Sequence, residues 1–199
     1  MAAPRDLVTL LVLLELAGAC HPSCQQRGAE AGPGATVGGT VGGGGLDAHD
    51  AQVIPLSLGF WEVPAVLISD ADDLCADAQA NVLRKASKTL ELMLLSESPA
   101  SGAPRLLAGT YRVDPNEGLF CLGGGDCSFQ ASASWVSLGD ACGLRDARAA
   151  DGGSVRIDEV DATHVTGAFH LQLGSDVLEG SFDAGRCTPG ESPSATSCE

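Results

Sequence analysis

Cysteine is the residue type that best equips this chain for covalent chemistry, because eight cysteines occur among its 199 residues. That density in a short chain is typical of proteins that form disulfides in an oxidising compartment. The spacing favours a bond between Cys121 and Cys127, which enclose a glycine-rich loop, and a second between Cys142 and Cys187. Structural zinc is disfavoured, since its ligands usually come in closely spaced pairs and the chain has neither C-x-x-C nor H-x-x-x-H.

Two further sets of residues could hold a metal ion, and neither is predicted to do so. His164 and His170 share one face of a predicted strand, but their spacing along it places them about 20 Å apart, too far to bind one ion. Asp70, Asp72 and Asp73 lack the D-x-D-x-D-G spacing of a calcium loop, and carboxylates at this point suit the start of a helix. We therefore predict no metal site and no cofactor.

The sequence carries no short catalytic motif. It lacks G-x-S-x-G, H-E-x-x-H and the zinc-deaminase signature, and the glycines at 38–45 are not followed by the Lys-Ser or Lys-Thr of a phosphate loop. A Ser-His-Asp site assembled from distant residues would leave no trace in the sequence. A hydrolase therefore stays open as an alternative, although no catalytic residue is predicted.

The charge balance disfavours two classes of partner. Acidic residues outnumber lysine and arginine by 26 to 11, which gives a formal charge of -15. A surface with this sign disfavours binding to a nucleic-acid backbone, and it disfavours electrostatic attachment to anionic lipid. Hydrophobic residues make up 44% of the chain, which indicates a packed core rather than disorder.

The first 19 residues have the order of an export signal, with Arg5 before an apolar run and small residues before Cys20. The run is too short to span a membrane. Ala17-Gly18-Ala19-Cys20 resembles the lipobox of bacterial lipoproteins, in which the cysteine is joined to diacylglycerol and becomes the new N-terminus. The resemblance implies a lipid anchor at Cys20 and a place in the bacterial cell envelope. The alternative is an ordinary secreted protein, cut near Ala19.

Composition divides the remaining chain into three parts. Residues 20–45 hold many glycines and few bulky side chains, so they are predicted to form a flexible tether. Residues 46–187 form one predicted β domain, and residues 188–199 are predicted to be a flexible tail.

Within the β domain the dominant hydrophobic period is two. Apolar and polar residues alternate from His164 to Leu173 and again over 178–184, after a Gly-Ser-Asp turn, which predicts a hairpin. The same alternation predicts six more strands, at 52–58, 61–68, 89–95, 110–113, 129–135 and 154–160.

A single helix interrupts this pattern. Apolar residues recur every four positions over 70–84, and Ser69 or Asp70 could cap the first turn. The predicted fold is therefore all-β, an antiparallel sandwich or small barrel of about eight strands with one short helix. A ligand-binding barrel would keep a hollow interior, whereas a sandwich would fill that space with Val, Leu and Phe.

Short motifs, most of them containing glycine, follow one another along the β domain: Leu67-Ile68-Ser69-Asp70, Asp73-Leu74-Cys75, Gly109-Thr110-Tyr111, Gly153-Ser154-Val155, Val165-x-Gly167-x-Phe169 and Leu178-x-Gly180-x-Phe182-x-Ala184-x-x-Cys187. In these motifs the chain resembles the uncharacterised exported lipoproteins that are abundant in myxobacteria. The resemblance implies an exported, lipid-anchored protein and brings no activity with it.

The leading hypothesis is a lipid-anchored cell-envelope protein whose disulfide-stabilised β domain serves binding or interaction. Its membrane contact would be the anchor at Cys20, and its protein or small-molecule partner is not specified by the sequence. The first alternative is a β-barrel that encloses a small apolar ligand, and the second is an extracytoplasmic hydrolase.

Overall fold

The computed structural model describes residues 34–58, 61–96, 105–114, 129–188 and 197–199. Cys20, the signal segment and the predicted pair Cys121 and Cys127 lie outside the described residues. Within the described parts of the chain, no helix is long and apolar enough to cross a membrane.

The described residues form twelve strands and one helix. In chain order they are β1 (Ala35–Gly39), β2 (Asp50–Leu58), β3 (Trp61–Ser69), α1 (Leu74–Ala80), β4 (Val82–Leu83), β5 (Lys88–Leu95), β6 (Gly109–Val113), β7 (Gln130–Leu138), β8 (Leu144–Ala149), β9 (Gly152–Val160), β10 (His164–Leu173), β11 (Asp176–Arg186) and β12 (Ser197–Cys198). All eight strands predicted from hydrophobic alternation are present, so the all-β prediction with one short helix is confirmed.

Eight of the strands close into a small barrel, in the order β11-β10-β9-β6-β7-β5-β3-β2 and back to β11. Most neighbours are antiparallel, but β6 meets β7 in parallel and β2 meets β11 in parallel. The β11–β2 seam consists of two residue pairs, Gly185 with Gln52 and Arg186 with Val53. Strand β1 extends the sheet beside β11, and β8 extends it beside β7.

The inward-pointing side chains pack into one cluster, so the barrel is filled rather than hollow. Its largest completely buried members are Trp135, Tyr111, Ile68, Leu90, Leu92, Leu94, Ile157, Leu171 and Leu178. Tyr111 brings one polar side-chain group into the core, its hydroxyl. This hydroxyl has a hydrogen-bond partner, because it donates to the Leu107 carbonyl oxygen at 2.7 Å. This packing disfavours the barrel axis as the chamber for a small ligand.

Two glycine–phenylalanine pairs explain the motifs of the β10–β11 hairpin. Gly167 faces Phe182 and Phe169 faces Gly180 across the two strands, and each ring lies where the glycine has no side chain. A Cβ at Gly180 would also overlap the carbonyl oxygen of Thr36 in β1. Glycine at these positions therefore lets a phenylalanine ring and a neighbouring strand approach the backbone closely.

The β domain begins earlier than the sequence predicted. Residues Ala35–Gly39 form β1, which pairs with β11 in antiparallel register, and Val41 and Leu46 are buried in the core. The predicted tether 20–45 is thus wrong for its last part. Backbone hydrogen bonds hold β1 to a strand whose own Gly180 leaves room for it, so this segment joins the sheet without bulky side chains.

The C-terminal residues also differ from the predicted tail. Ser197–Cys198 form β12, which pairs in parallel with β4 and places Ser197 beside Val82. The predicted flexible tail is therefore wrong at 197–199, where backbone pairing and a disulfide fix the chain.

Helix α1 is shorter than predicted and is capped differently. It begins at Leu74, after Asp73 in the left-handed conformation, and no side chain of the helix's own N-terminus caps it. Asp50 of β2 supplies the cap instead, because its Oδ2 accepts a hydrogen bond from the Leu74 N–H at 2.8 Å. Asn81, also left-handed, ends the helix.

The two residues predicted to cap the helix are hydrogen-bonded to the backbone of the adjoining strand instead. Ser69 Oγ donates to the Lys88 carbonyl oxygen at 2.9 Å, and Asp70 Oδ1 accepts from the Lys88 N–H at 2.7 Å. Ser69 and Asp70 therefore fix the end of β3 against the start of β5, and the cap prediction is wrong.

Two disulfides are formed by the described cysteines, Cys75–Cys187 and Cys142–Cys198. The predicted bond between Cys142 and Cys187 is wrong, although both residues are in disulfides. Cys187 follows β11 at the barrel seam, against α1, and its Cα is 5.4 Å from that of Cys75. Cys142 lies between β7 and β8, where Cys198 of β12 approaches it with a Cα separation of 5.8 Å.

Candidate functional site

The outer face of the barrel at β2 and β3 is apolar and is covered by α1. Ile54 and Leu56 of β2 form a second buried cluster with Ala65 and Leu67 of β3, and the apolar face of α1 packs on it. We call α1 and β4, residues 74–83, the cover. Because the cover is small, it does not close completely over the neighbouring strands β5 and β7.

A pocket of about 110 Å³ lies between the cover and the outer face of β3, β5 and β7. Most of the residues that line it are apolar. They include Leu67, Leu74, Ala78, Val82, Leu83, Val136 and Leu138. A concave, mainly apolar site with a few polar groups is the usual form of a small-molecule pocket.

Glu91 is the unusual member of this lining. It lies in the middle of β5 between Leu67 of β3 and Ser134 of β7, and it is 3% exposed. No hydrogen bond or ion pair joins its carboxyl group to another described residue, and its carboxyl oxygens are not completely enclosed by protein. Burial raises the pKa of Glu91 to about 7, because the apolar surroundings penalise the charged form.

The other two charged residues of the pocket compensate each other. Asp77 of α1 is buried, and its carboxylate accepts two hydrogen bonds from Arg84, at 2.6 Å from Nε and 2.5 Å from the terminal nitrogen. The hydrogen bond to Asp77 raises the pKa of Arg84. With this pair neutral overall, Glu91 is the single uncompensated charge among the described residues that line the pocket.

Both described disulfides hold the cover on the barrel. Cys75 lies in α1 and is bonded to Cys187, at the end of β11. Strand β4 pairs with β12, and β12 is bonded through Cys198 to Cys142 beside β7. The cover is therefore held at two separate points of the barrel, covalently at Cys187 and, beside β7, through the pairing of β4 with the disulfide-bonded strand β12.

A second, more open cleft contains the acidic run discussed above. Asp70, Asp72 and Asp73 line it together with His49, whose Nδ1 is 3.5 Å from Asp72 Oδ1. In the described parts of the chain, no group of three or more His, Cys, Asp or Glu residues is arranged to hold a metal ion. Asp70 is engaged by the backbone of Lys88, as described above.

The two strand histidines, His164 and His170, lie on the outer face of the hairpin, and both side chains are exposed to solvent. His164 Nδ1 is 2.9 Å from Asp183 Oδ1, and this hydrogen bond raises the pKa of His164. His170 Nδ1 is 3.7 Å from Glu179 Oε2. Neither histidine lines the two clefts described here, and within the described residues no serine or threonine hydroxyl is hydrogen-bonded to either ring.

Glu91 lies in the predicted strand 89–95 but was not predicted as a site residue, because a charged side chain in a half-buried strand ordinarily faces solvent. One signal could have found it. Glu91 is the only charged residue within the run 90–95, and the neighbouring segment 63–68 is apolar at every position, which is typical of a strand buried on both faces. A carboxylate in such a setting is a candidate functional group.

The fold and site together define a filled eight-stranded barrel with a lateral pocket under a disulfide-held cover. No protein-family model, curated protein or solved structure matches the chain. The function is therefore inferred from the chemistry of the pocket itself.

Proposed function

We propose that this protein is a binding protein that takes a small, mainly apolar ligand in the pocket between the cover and β5. The observation that carries the proposal is the apolar pocket of about 110 Å³ with the unpartnered Glu91 carboxyl in its lining. An engineered cavity of about 150 Å³ is known to hold benzene, so this pocket suits a fragment of about four or five carbon atoms.

The two disulfides fit a domain that is stabilised outside the cytoplasm. They also suit a binding protein, because a cover held at two points keeps the pocket shaped in the absence of ligand. Preorganisation of this kind lowers the entropic cost of binding.

A ligand titration tests the pocket. We expect 1-butanol to perturb the backbone amide signals of residues 74–83 and 88–95 in the NMR spectrum of the ¹⁵N-labelled protein. Ala78→Phe should abolish these perturbations, because Ala78 lines the pocket and a benzyl group would fill it. Ala76→Phe is the matched control, since Ala76 lies on the same helix and is exposed. Perturbations that persist in Ala78→Phe would contradict the assignment of the pocket.

The second part of the proposal places the protein in a bacterial cell envelope, attached by a lipid on Cys20. Its support is the export-signal order of residues 1–19 and the lipobox-like Ala17-Gly18-Ala19-Cys20. A chain with a formal charge of -15 is not attracted to anionic headgroups, so attachment has to be covalent. A diacylglyceryl group buries two chains, which is enough for stable anchoring.

Cys20→Ala is expected to move the protein from the detergent phase to the aqueous phase in a Triton X-114 partition of cells that express the full chain. Cys24→Ala, which removes a cysteine four positions away, should leave partitioning unchanged. Recovery of the unaltered chain in the aqueous phase, with an unmodified Cys20, would contradict the anchor.

A further inference from the structure

We infer that the ligand of the pocket is a small apolar molecule with one ammonium group, and that the Glu91 carboxylate is the group that recognises it. The inference rests on the proposed function and adds the charge and chemical class of the ligand to it. Three observations lead to it: the burial of Glu91, its lack of a partner among the described residues, and the neutrality of the remaining pocket lining.

The burial of Glu91 is costly in the empty protein. A carboxylate that loses water without gaining a hydrogen bond is strongly disfavoured, and natural proteins usually pair such groups. The strands on either side of Glu91, β3 and β7, supply no hydrogen-bond or ion-pair partner for its carboxyl group. On β3 the neighbours are Leu67 and Ser69, and on β7 they are Ser134 and Val136.

The charged groups on and beside the cover do not pair with Glu91 either. Among the described residues that line the pocket, Arg84 is the one cation, and its guanidinium donates two hydrogen bonds to Asp77. Burial alone raises the pKa of Glu91, with no contribution from a neighbouring charge. A ligand that pairs with the Glu91 carboxylate must therefore supply the positive charge and the hydrogen-bond donors itself.

The side chains that line the pocket also restrict the remainder of the ligand. The lining is mainly aliphatic, with Leu67, Leu74, Val82 and Val136 among the larger side chains, and its uncharged polar members are Ser69, Asn81, Ser87 and Thr89. A compact alkyl group fits such walls, whereas a second charge would be buried without a partner. The net negative charge of the chain also favours the approach of a cation over an anion.

A protonated amine competes with a proton for Glu91, which gives the inference a pH signature. An alkyl ammonium group loses its proton only near pH 10, like lysine, so the ligand stays charged throughout the neutral range. Below about pH 7 the Glu91 carboxyl becomes neutral. Affinity for an ammonium ligand should then fall about tenfold for each further pH unit, whereas affinity for a neutral ligand should not change.

Three probes of nearly equal size test the inference by NMR titration: butylammonium chloride, 1-butanol and sodium butyrate. At pH 8 we expect butylammonium to bind at least about tenfold more tightly than 1-butanol, and butyrate to bind least. At pH 5 the preference for butylammonium should disappear in the unaltered protein, so this arm requires no variant.

Glu91→Gln keeps the shape of the side chain and removes its charge. It should reduce butylammonium binding at pH 8 to the level at which the same variant binds 1-butanol. Glu62→Gln is the matched control, because Glu62 lies on the neighbouring strand β3 and is exposed.

The outcomes separate the inference from the function on which it rests. Equal binding of butylammonium and 1-butanol at pH 8, or tighter binding of butyrate, would overturn the inference and leave a small-ligand pocket in place. A preference for butylammonium that survives in Glu91→Gln would overturn it as well. Failure of all three probes to bind the folded protein would overturn the proposed function together with the inference.

Discussion

The double variant Cys75→Ser, Cys187→Ser is expected to lose about 4.8 kcal/mol of unfolding free energy, the largest effect that we expect from any change in the chain. The bond joins residues 112 positions apart, and in the chain-entropy model a link over that length restricts the unfolded chain by about this amount. Urea unfolding, followed by the fluorescence of the buried Trp135, measures the loss.

The second disulfide provides the comparison. Cys142→Ser, Cys198→Ser opens a link over 56 positions, so the same model gives about 4.2 kcal/mol. Both double variants should also weaken binding of 1-butanol, because each bond holds the cover over the pocket. A variant with unchanged unfolding free energy would show that the bond is not closed in the native protein.

A second large effect concerns the pH dependence of stability. The pKa of Glu91 is raised from 4.5 in the ordinary carboxyl to about 7 in the folded protein. Between these two values the folded state binds more protons than the unfolded state, so Glu91 lowers stability as the pH rises. We expect it to remove about 3 kcal/mol between about pH 4.5 and 7, with no further change above pH 7.

Urea unfolding at pH 5 and pH 8 tests this expectation. Glu91→Gln should be more stable than the unaltered protein at pH 8 and nearly equal to it at pH 5, because only the charged carboxylate is penalised by burial. Glu62→Gln, at an exposed carboxyl of the adjacent strand, should behave like the unaltered protein at both values. A difference between Glu91→Gln and the unaltered protein that does not depend on pH would contradict the buried, unpartnered carboxyl.

The barrel strands could be predicted from the sequence because burial on one face imposes a period of two. His164–Leu173 shows this clearly: its alternate residues Val165, Phe169 and Leu171 are buried as the pattern requires. Hydrophobic alternation did not predict strand β1. Its sequence is rich in glycine, and what fixes it is the backbone of β11, a segment more than a hundred residues away.

The candidate site could not be predicted, because each of its features depends on a contact between distant segments. Glu91 is buried only because α1 and β4 cover that part of β5. Leu74 starts the helix because Asp50, on another strand, accepts its N–H. The partners of Cys142 and Cys187 follow from the positions of β12 and α1, and spacing along the chain does not encode them.

The bond between Cys75 and Cys187 turns most of the barrel into a closed covalent ring. The ring contains six of the eight barrel strands, from β5 to β11, and the two-pair seam with β2 lies at its point of closure. A protease that cuts one peptide bond anywhere in this ring produces two ends but no separate fragment. A molecule nicked in this way keeps all its strands in one covalently connected piece.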